Sequence, residues 1–239
     1  SIASHISEIS VSEKILSEDY ADLILPVTLS GSYFLNAYMQ MGGELLGGNY
    51  GVIHVPLSSL PRDLLAYVGY YNIPKLYTLL DESSLEASGI LKVRSQPLLG
   101  YTGKDVILGF LDTGIDYTQP IFRRSDGRSR IVGLWDQTDQ TGTPPENLSY
   151  GSAYTGEDLN RALTAEDPFS VVPSADENGH GTILASIASG SADVIPDFSG
   201  AAPDADIAVV KLKPAKKFLR DFLLIREDAV AFQETDLKA

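Results

Sequence analysis

Two segments of the chain are apolar almost without interruption, residues 106–111 (Val-Ile-Leu-Gly-Phe-Leu) and 207–212 (Ile-Ala-Val-Val-Lys-Leu). Runs of this kind predict parallel strands covered on both faces. Residues 131–135 predict a third strand, residues 137–176 form a long polar segment, and a helix is expected after His180. This alternation predicts α/β wiring for residues 97–239. Upstream the grammar differs. Residues 22–27 read as a short strand closed by Pro26, and residues 32–41 as a helix ended by Gly42-Gly43. Residues 50–56 are rich in β-formers and predict another strand. Ser59 is expected to cap a helix with Pro61 in its first turn and Leu64, Leu65 and Val68 on one face. Residues 75–80 predict a further strand. Strand, helix, strand, helix, strand predicts a small α+β sandwich for residues 1–96, ordered from about residue 20, the start being polar, Ser/Glu-rich and only loosely helical. Residues 89–104 contain Gln96-Pro97 and Gly100-Tyr101-Thr102-Gly103-Lys104, which suits a linker.

Composition narrows the function. A formal net charge of −14 argues against nucleic-acid and anionic-membrane partners, which need basic surface. No apolar run reaches the ~18–20 residues that span a bilayer, and the start lacks the basic and apolar regions of a signal peptide. The sequence does not begin with Met, so an upstream start is expected. With no cysteine, disulfides, thiol nucleophiles and cysteine-type zinc sites are excluded, while the compartment stays open. Three widely separated histidines give no histidine-rich metal site.

The chemistry concentrates in two blocks. Asp112 leaves the first apolar run just before Thr113-Gly114, at the end of a strand where α/β sheets gather catalytic groups. Alone it is equally a turn-forming aspartate. His180 lies in Asn178-Gly179-His180-Gly181-Thr182 at the first turn of the expected helix, where the positive helix end does not favour an imidazolium. It needs a carboxylate to hold its tautomer, and Asp112 is the candidate, expected within about 2.6–3.2 Å of Nδ1. His54 and His5 are read as loop histidines. Ser199 is read as part of a structural turn and not as a nucleophile. Asp136 and Asp139 are too few for the ~6–8 oxygens of a calcium ion and are read as a solvated pair. Tyr67, Tyr70, Tyr71 and Tyr77 are expected to pack the small domain.

Both blocks resemble the Asp and His blocks of the subtilisin-like serine proteases, peptidase family S8, as does Gly200-Ala201-Ala202-Pro203 leading into the last apolar run. Leu134-Trp135-Asp136-Gln137-Thr138, Val210-Lys211-Leu212-Lys213-Pro214-Ala215-Lys216 and Phe232-Gln233-Glu234-Thr235-Asp236 are similar to the clostridial subtilases related to the Csp germination proteases. The similarity runs from about Leu85 to Ala239 and is strongest over 100–139 and 176–215. Ile183 stands where many members have His, and Gln119-Pro120 where many have His-Pro.

The resemblance implies a ferredoxin-like prodomain over residues 1–96, acting as chaperone and inhibitor with its tail in the active-site cleft. Residues 97–239 would then be the first part of a doubly wound, mostly parallel subtilase domain. It implies a serine endopeptidase acting on protein or peptide substrates, with Asp112 and His180 as triad members and maturation near residues 94–99. The triad serine, the oxyanion Asn and the substrate-binding strands are expected beyond Ala239, since no Gly-Thr-Ser-Met-Ala-like segment occurs. No cofactor is expected. A structural calcium, frequent in the family, is not assignable to residues. Spore or cell-envelope location is implied by the family alone. Because Csp-like families include pseudoproteases, the alternative is an inactive pseudoprotease or a binding or inhibitory fragment.

Overall fold

The computed structural model describes residues 9–26, 43–46, 50–78, 101–192, 194, 195 and 198–239. The helix expected over residues 32–41, His5 and most of the expected linker lie outside the described residues. The chain divides into two compact units. The first comprises Ser1–Thr78, Leu148–Tyr150 and Pro214–Ala239, and the second Leu79–Asn147 and Gly151–Lys213.

In the first unit, helix α1 (Val11–Leu16) opens on a capping box. The Ser10 hydroxyl accepts from Glu13 N at 3.2 Å, and the Glu13 carboxylate accepts from Ser10 N at 2.8 Å. Residues expected to be loosely helical thus form a capped helix, because two orphan amides find side-chain acceptors and Ile15 is buried. Strands β1 (Tyr20–Pro26), β2 (Glu44–Leu46) and β3 (Tyr50–Pro56) make an antiparallel sheet in the order β1-β3-β2. Ile24, Leu46 and Val52 form its apolar contact. The next helix, α2 (Leu64–Val68), is capped by Asp63, whose carboxylate accepts from Ala66 N at 3.1 Å. Ser59 instead ends a separate 3₁₀ turn, and Leu65 faces solvent while Leu64 is buried. The strand expected at 75–80 is described as β4 (Leu76–Tyr77), which pairs with β9 (Phe232–Gln233). Helices α5 (Lys217–Phe222) and α6 (Glu234–Lys238) complete the unit, Leu219 of α5 packing with Leu64 and Ile73. Of the four tyrosines, the side chain of Tyr67 lies outside the described residues and the other three do not pack as expected: Tyr71 is 90% exposed, and Tyr70 and Tyr77 are also exposed. A 3₁₀ turn and a two-residue strand turn them outward, and Lys75 Nζ lies over the Tyr70 ring.

The second unit is built on a four-stranded sheet, β5 (Ile107–Asp112), β8 (Asp206–Lys211), β6 (Ile131–Asp136) and β7 (Ser152–Thr155), in that order. The first three strands run parallel, and β7 is antiparallel to β6. Helices α3 (Gly156–Leu163) and α4 (His180–Ser189) cover one face. Phe110, Ile131, Leu134, Leu159, Ala185, Ile207 and Val209 fill the core between the layers. The polar segment 137–176 hides β7 and α3, whose start is closed by a capping box between Thr155 and Asp158. One expectation fails here. Among the described residues β5 is an edge strand, and its alternate residues Ile107 and Leu111 are 61% and 47% exposed, so one of its faces is left open. Among the described residues no helix is long and apolar enough to cross a membrane.

Candidate active site

Strand β5 delivers Asp112 to the carboxyl end of the parallel strands, level with Lys211 of β8 and Asp136 of β6. Period-two alternation places Leu108, Phe110 and Asp112 on the covered side, and Asp112 is buried. The following turn needs Gly114, whose φ of 123° lies in a region that side chains disfavour. On the other side, Gly179 at φ 84° lets the chain enter α4, so that His180 is its first residue. Gly181 permits the approach of the two blocks. A Cβ there would strike the Gly114 carbonyl oxygen and lie 3.2 Å from Asp112 Oδ1.

The result is direct contact. His180 Nδ1 lies 2.8 Å from Asp112 Oδ1, which also accepts from Thr113 N at 2.7 Å. An ionised carboxylate only accepts, so the contact fixes the tautomer with hydrogen on Nδ1. The His180 side chain is 21% exposed against 7% for Asp112, an imidazole within reach of solvent held by a carboxylate that is not.

The two blocks are laced together by a residue the sequence did not single out, Asp176. Its Oδ1 accepts from the Thr113 hydroxyl at 2.8 Å and Gly179 N at 2.9 Å. Its Oδ2 accepts from the Thr182 hydroxyl at 2.6 Å and Thr182 N at 2.9 Å. The two threonines carry the link onward, Thr113 Oγ1 accepting from Gly181 N and Thr182 Oγ1 from Asp116 N. Burial pushes the Asp176 carboxyl up, but these donors outweigh it and hold the group below its ordinary value. The sequence signal was a carboxylate four residues before His180. Lys211 is a second such residue, marked by a lysine inside an apolar strand. Its ammonium donates to Ala175 O at 2.7 Å and Glu177 Oε2 at 3.0 Å, 3.6 Å from Asp136 Oδ2.

Asp176→Ala is expected to destabilise the second unit by about 2–3 kcal/mol, because four donors lose a charged acceptor. The His180 ring resonances should also shift in NMR spectra. Since the folded carboxyl is depressed, its contribution is present above the unfolded value of about 3.9 and lost as pH falls through the folded one. An unchanged denaturation midpoint and an unmoved His180 signal would remove Asp176 from this role.

The other candidates lie elsewhere. Asp136 is not solvated but buried, accepting from the Thr138 amide and hydroxyl and from the Ser174 hydroxyl. Asp139 accepts from Thr141 and from the Tyr154 hydroxyl. Among the described residues no group of three or more His, Cys, Asp or Glu is placed to hold a metal ion. The Ser199 hydroxyl donates to Gly200 O at 3.4 Å, in the turn leading to β8. His54 is no loop histidine. It sits buried on β3 with Nδ1 2.7 Å from Asp22 Oδ1, a partner supplied across the strand pairing of β1 and β3.

The model of the subtilase family, peptidase S8, matches residues 103–227, just over half of the chain, and takes in both Asp112 and His180. The chain belongs to the subtilase family. This subtilase is 33% identical over 134 residues to "Subtilisin-like protease SBT2.1" of Arabidopsis thaliana, covering 46% of the chain and 15% of that relative. It is 32% identical over 154 residues to "Subtilisin-like protease SBT2.4" of the same plant, covering 54% of the chain and 18% of the relative. Among solved structures, the CspB protease of Clostridium perfringens is 38% identical, with a TM-score of 0.45 over 56% of this chain and 26% of that one. The subtilase chain spans less than a fifth of the length of the two plant relatives.

Proposed function

We propose that the chain supplies the aspartate and histidine of an Asp-His-Ser triad in a serine endopeptidase, with the serine carried by polypeptide beyond Ala239. The observation that carries this reading is the 2.8 Å contact between buried Asp112 and partly exposed His180 at the carboxyl ends of parallel strands. With Nδ1 committed to Asp112, proton exchange falls to Nε2. His180 takes the proton from the serine hydroxyl as its oxygen attacks the scissile carbonyl, then gives it to the leaving amine. Asp112 holds the ring and stabilises the imidazolium without taking the proton. That stabilisation matters because His180 stands at the positive end of α4.

The uncovered apolar side of β5 supports the longer polypeptide: Ile107 and Leu111 form the kind of surface a further layer buries. Residues 1–96 are read as the prodomain of that enzyme and a protein or peptide as its substrate. After the amine has left, water attacks the acyl-serine, His180 taking its proton and passing it to the serine oxygen as the acid leaves, and no step calls on a cofactor.

Fluorophosphonate labelling tests the reading. The full-length protein is expected to label stoichiometrically at a serine in a Gly-Thr-Ser-x-Ala setting, and residues 1–239 alone to remain unlabelled and turn over no peptide. Labelling of any serine within 1–239, Ser199 included, would overturn it. A full-length protein that keeps the serine yet neither labels nor cleaves would favour the pseudoprotease alternative.

A further inference from the structure

Charge is unevenly placed on the second unit. Although the chain carries −14 overall, the segment before β6 reads Arg123-Arg124-Ser125-Asp126-Gly127-Arg128-Ser129-Arg130, four arginines to one carboxylate. It is a closed turn, Arg124 N donating to Arg128 O at 2.7 Å and Gly127 N to Arg124 O at 2.9 Å. Beside it runs an open groove of about 830 Å³, lined by Lys104, Arg123, Arg124, Arg130 and the carboxylate Asp204.

The arginines are not neutralised where they stand. Arg130 is 3% exposed, and each of its acceptors is neutral: Ser191 Oγ at 3.1 Å, Ala205 O at 2.6 Å, Ile121 O at 3.1 Å and Ser189 O. Burial first, and the charge of Arg124 second, draw its pKa below the ordinary guanidinium value, with Asp204 and Asp206 opposing. Arg123 donates to Thr118 O, and its buried Nε has no partner. Among the described residues, Arg124 is the one of them that meets a carboxylate directly, Asp206. Four cations against Asp204 and Asp206 leave the groove net positive on an acidic molecule. A buried guanidinium with only neutral acceptors keeps its full field, and a low-dielectric wall focuses that field into the groove.

The groove also lies away from the candidate dyad. Lys104, Arg130 and Asp204 precede β5, β6 and β8, whereas Asp112 ends β5, one strand length or roughly 17 Å away. We infer that this groove is an exosite for an extended, acidic segment of polypeptide. Pro120, Val194 and Pro203 in its lining suit apolar side chains between carboxylates. A nucleic acid would bring a phosphate at every residue against four cations already opposed by Asp204 and Asp206, on a chain of net charge −14. The inference does not depend on the triad reading, since binding here requires no serine.

The test uses the 239-residue chain and fluorescence anisotropy of a labelled ten-residue peptide alternating Glu and Val. The Gln–Val peptide and a single-stranded oligonucleotide of equal charge serve as comparisons. Binding of the Glu–Val peptide is expected, at least tenfold weaker at about 300 mM salt than at about 50 mM. The double variant Lys104→Gln, Arg124→Gln should bind at least tenfold more weakly, while Arg161→Gln on the exposed side of α3 leaves affinity unchanged. The single variant Lys104→Gln, at an exposed position, should show a threefold or greater loss and covers the case of a double variant that fails to fold. Absence of Glu–Val binding, equal binding of the Gln–Val peptide, or variants that bind like wild type would overturn the exosite. Tighter binding of the oligonucleotide would overturn its assignment to polypeptide.

Discussion

On the proposed triad, replacing His180 by alanine in the full-length protein should lower kcat for peptide hydrolysis by about 10⁴–10⁶-fold with KM little changed, the pattern of an interaction made only in the transition state. Asp112→Asn should fall by about 10⁴-fold, because an amide at 2.8 Å from Nδ1 can present a donor and favour the wrong tautomer. The double variant should be no worse than the poorer single one, since the two residues act as a unit. Steady-state kinetics on a peptide substrate, with fluorophosphonate labelling of the same variants, makes the measurement. Retention of activity within tenfold by Asp112→Asn would remove Asp112 from the mechanism even though it touches His180.

What could be read in the sequence divides along physical lines. Asp112 and His180 were legible because local rules mark them: a carboxylate ending an apolar run, a histidine between glycines opening a helix. Their separation in space, expected at 2.6–3.2 Å, is 2.8 Å. Strands 50–56, 131–135 and 207–212 were legible for the same reason, their apolar or β-branched content being dictated by burial. β7 was not, because Ser152–Thr155 is polar and becomes a strand only through its antiparallel pairing with β6. α3 was masked by the same polar segment, although Thr155 and Asp158 carry a capping signature. The helix start at Asp63 was missed because Ser59, followed by Pro61, offered a competing cap. The expectation for β5 failed for another reason. An apolar strand shows that both faces suit burial, not that both are buried in this chain. Asp176 and Lys211 carried weak signals. The partners of Asp22 carried none, for His54 lies 32 residues away and Lys216 and Gln233 lie 194 and 211 away, and no local pattern reports them.

Those partners set the largest expected effect on stability. Asp22→Ala should cost the first unit about 3–5 kcal/mol, because it strands a buried cation. Asp22 and Lys216 are 7% and 3% exposed, and Lys216 Nζ donates to Asp22 Oδ1 at 2.8 Å. Asp22 Oδ1 lies 2.7 Å from His54 Nδ1, and Oδ2 accepts from Gln233 Nε2 at 2.7 Å. One carboxylate thus joins β1, β3, β9 and the residue preceding α5. Removing both charges together, as Asp22→Leu with Lys216→Met, should cost less than Asp22→Ala alone, since desolvation of both ions is relieved with their attraction. Urea denaturation of the three proteins measures this. A double variant less stable than Asp22→Ala would mean that the pair itself, and not the stranded charge, dominates. The network also fixes a pH dependence. Burial pushes His54 down, but the hydrogen bond to Asp22 and the carboxylate of Glu44, 3.8 Å from Nε2, outweigh it and raise its pKa. Tyr150 and Asp236 line the same small cavity, and Lys216 opposes from beyond Asp22. A raised folded value means that the contribution of His54 is complete below the unfolded value of about 6.5 and is lost as pH rises through the folded one. The first unit of the wild-type chain should therefore be more stable at pH 6 than at pH 8, and Asp22→Ala should flatten that difference by removing the carboxylate hydrogen-bonded to the protonated ring.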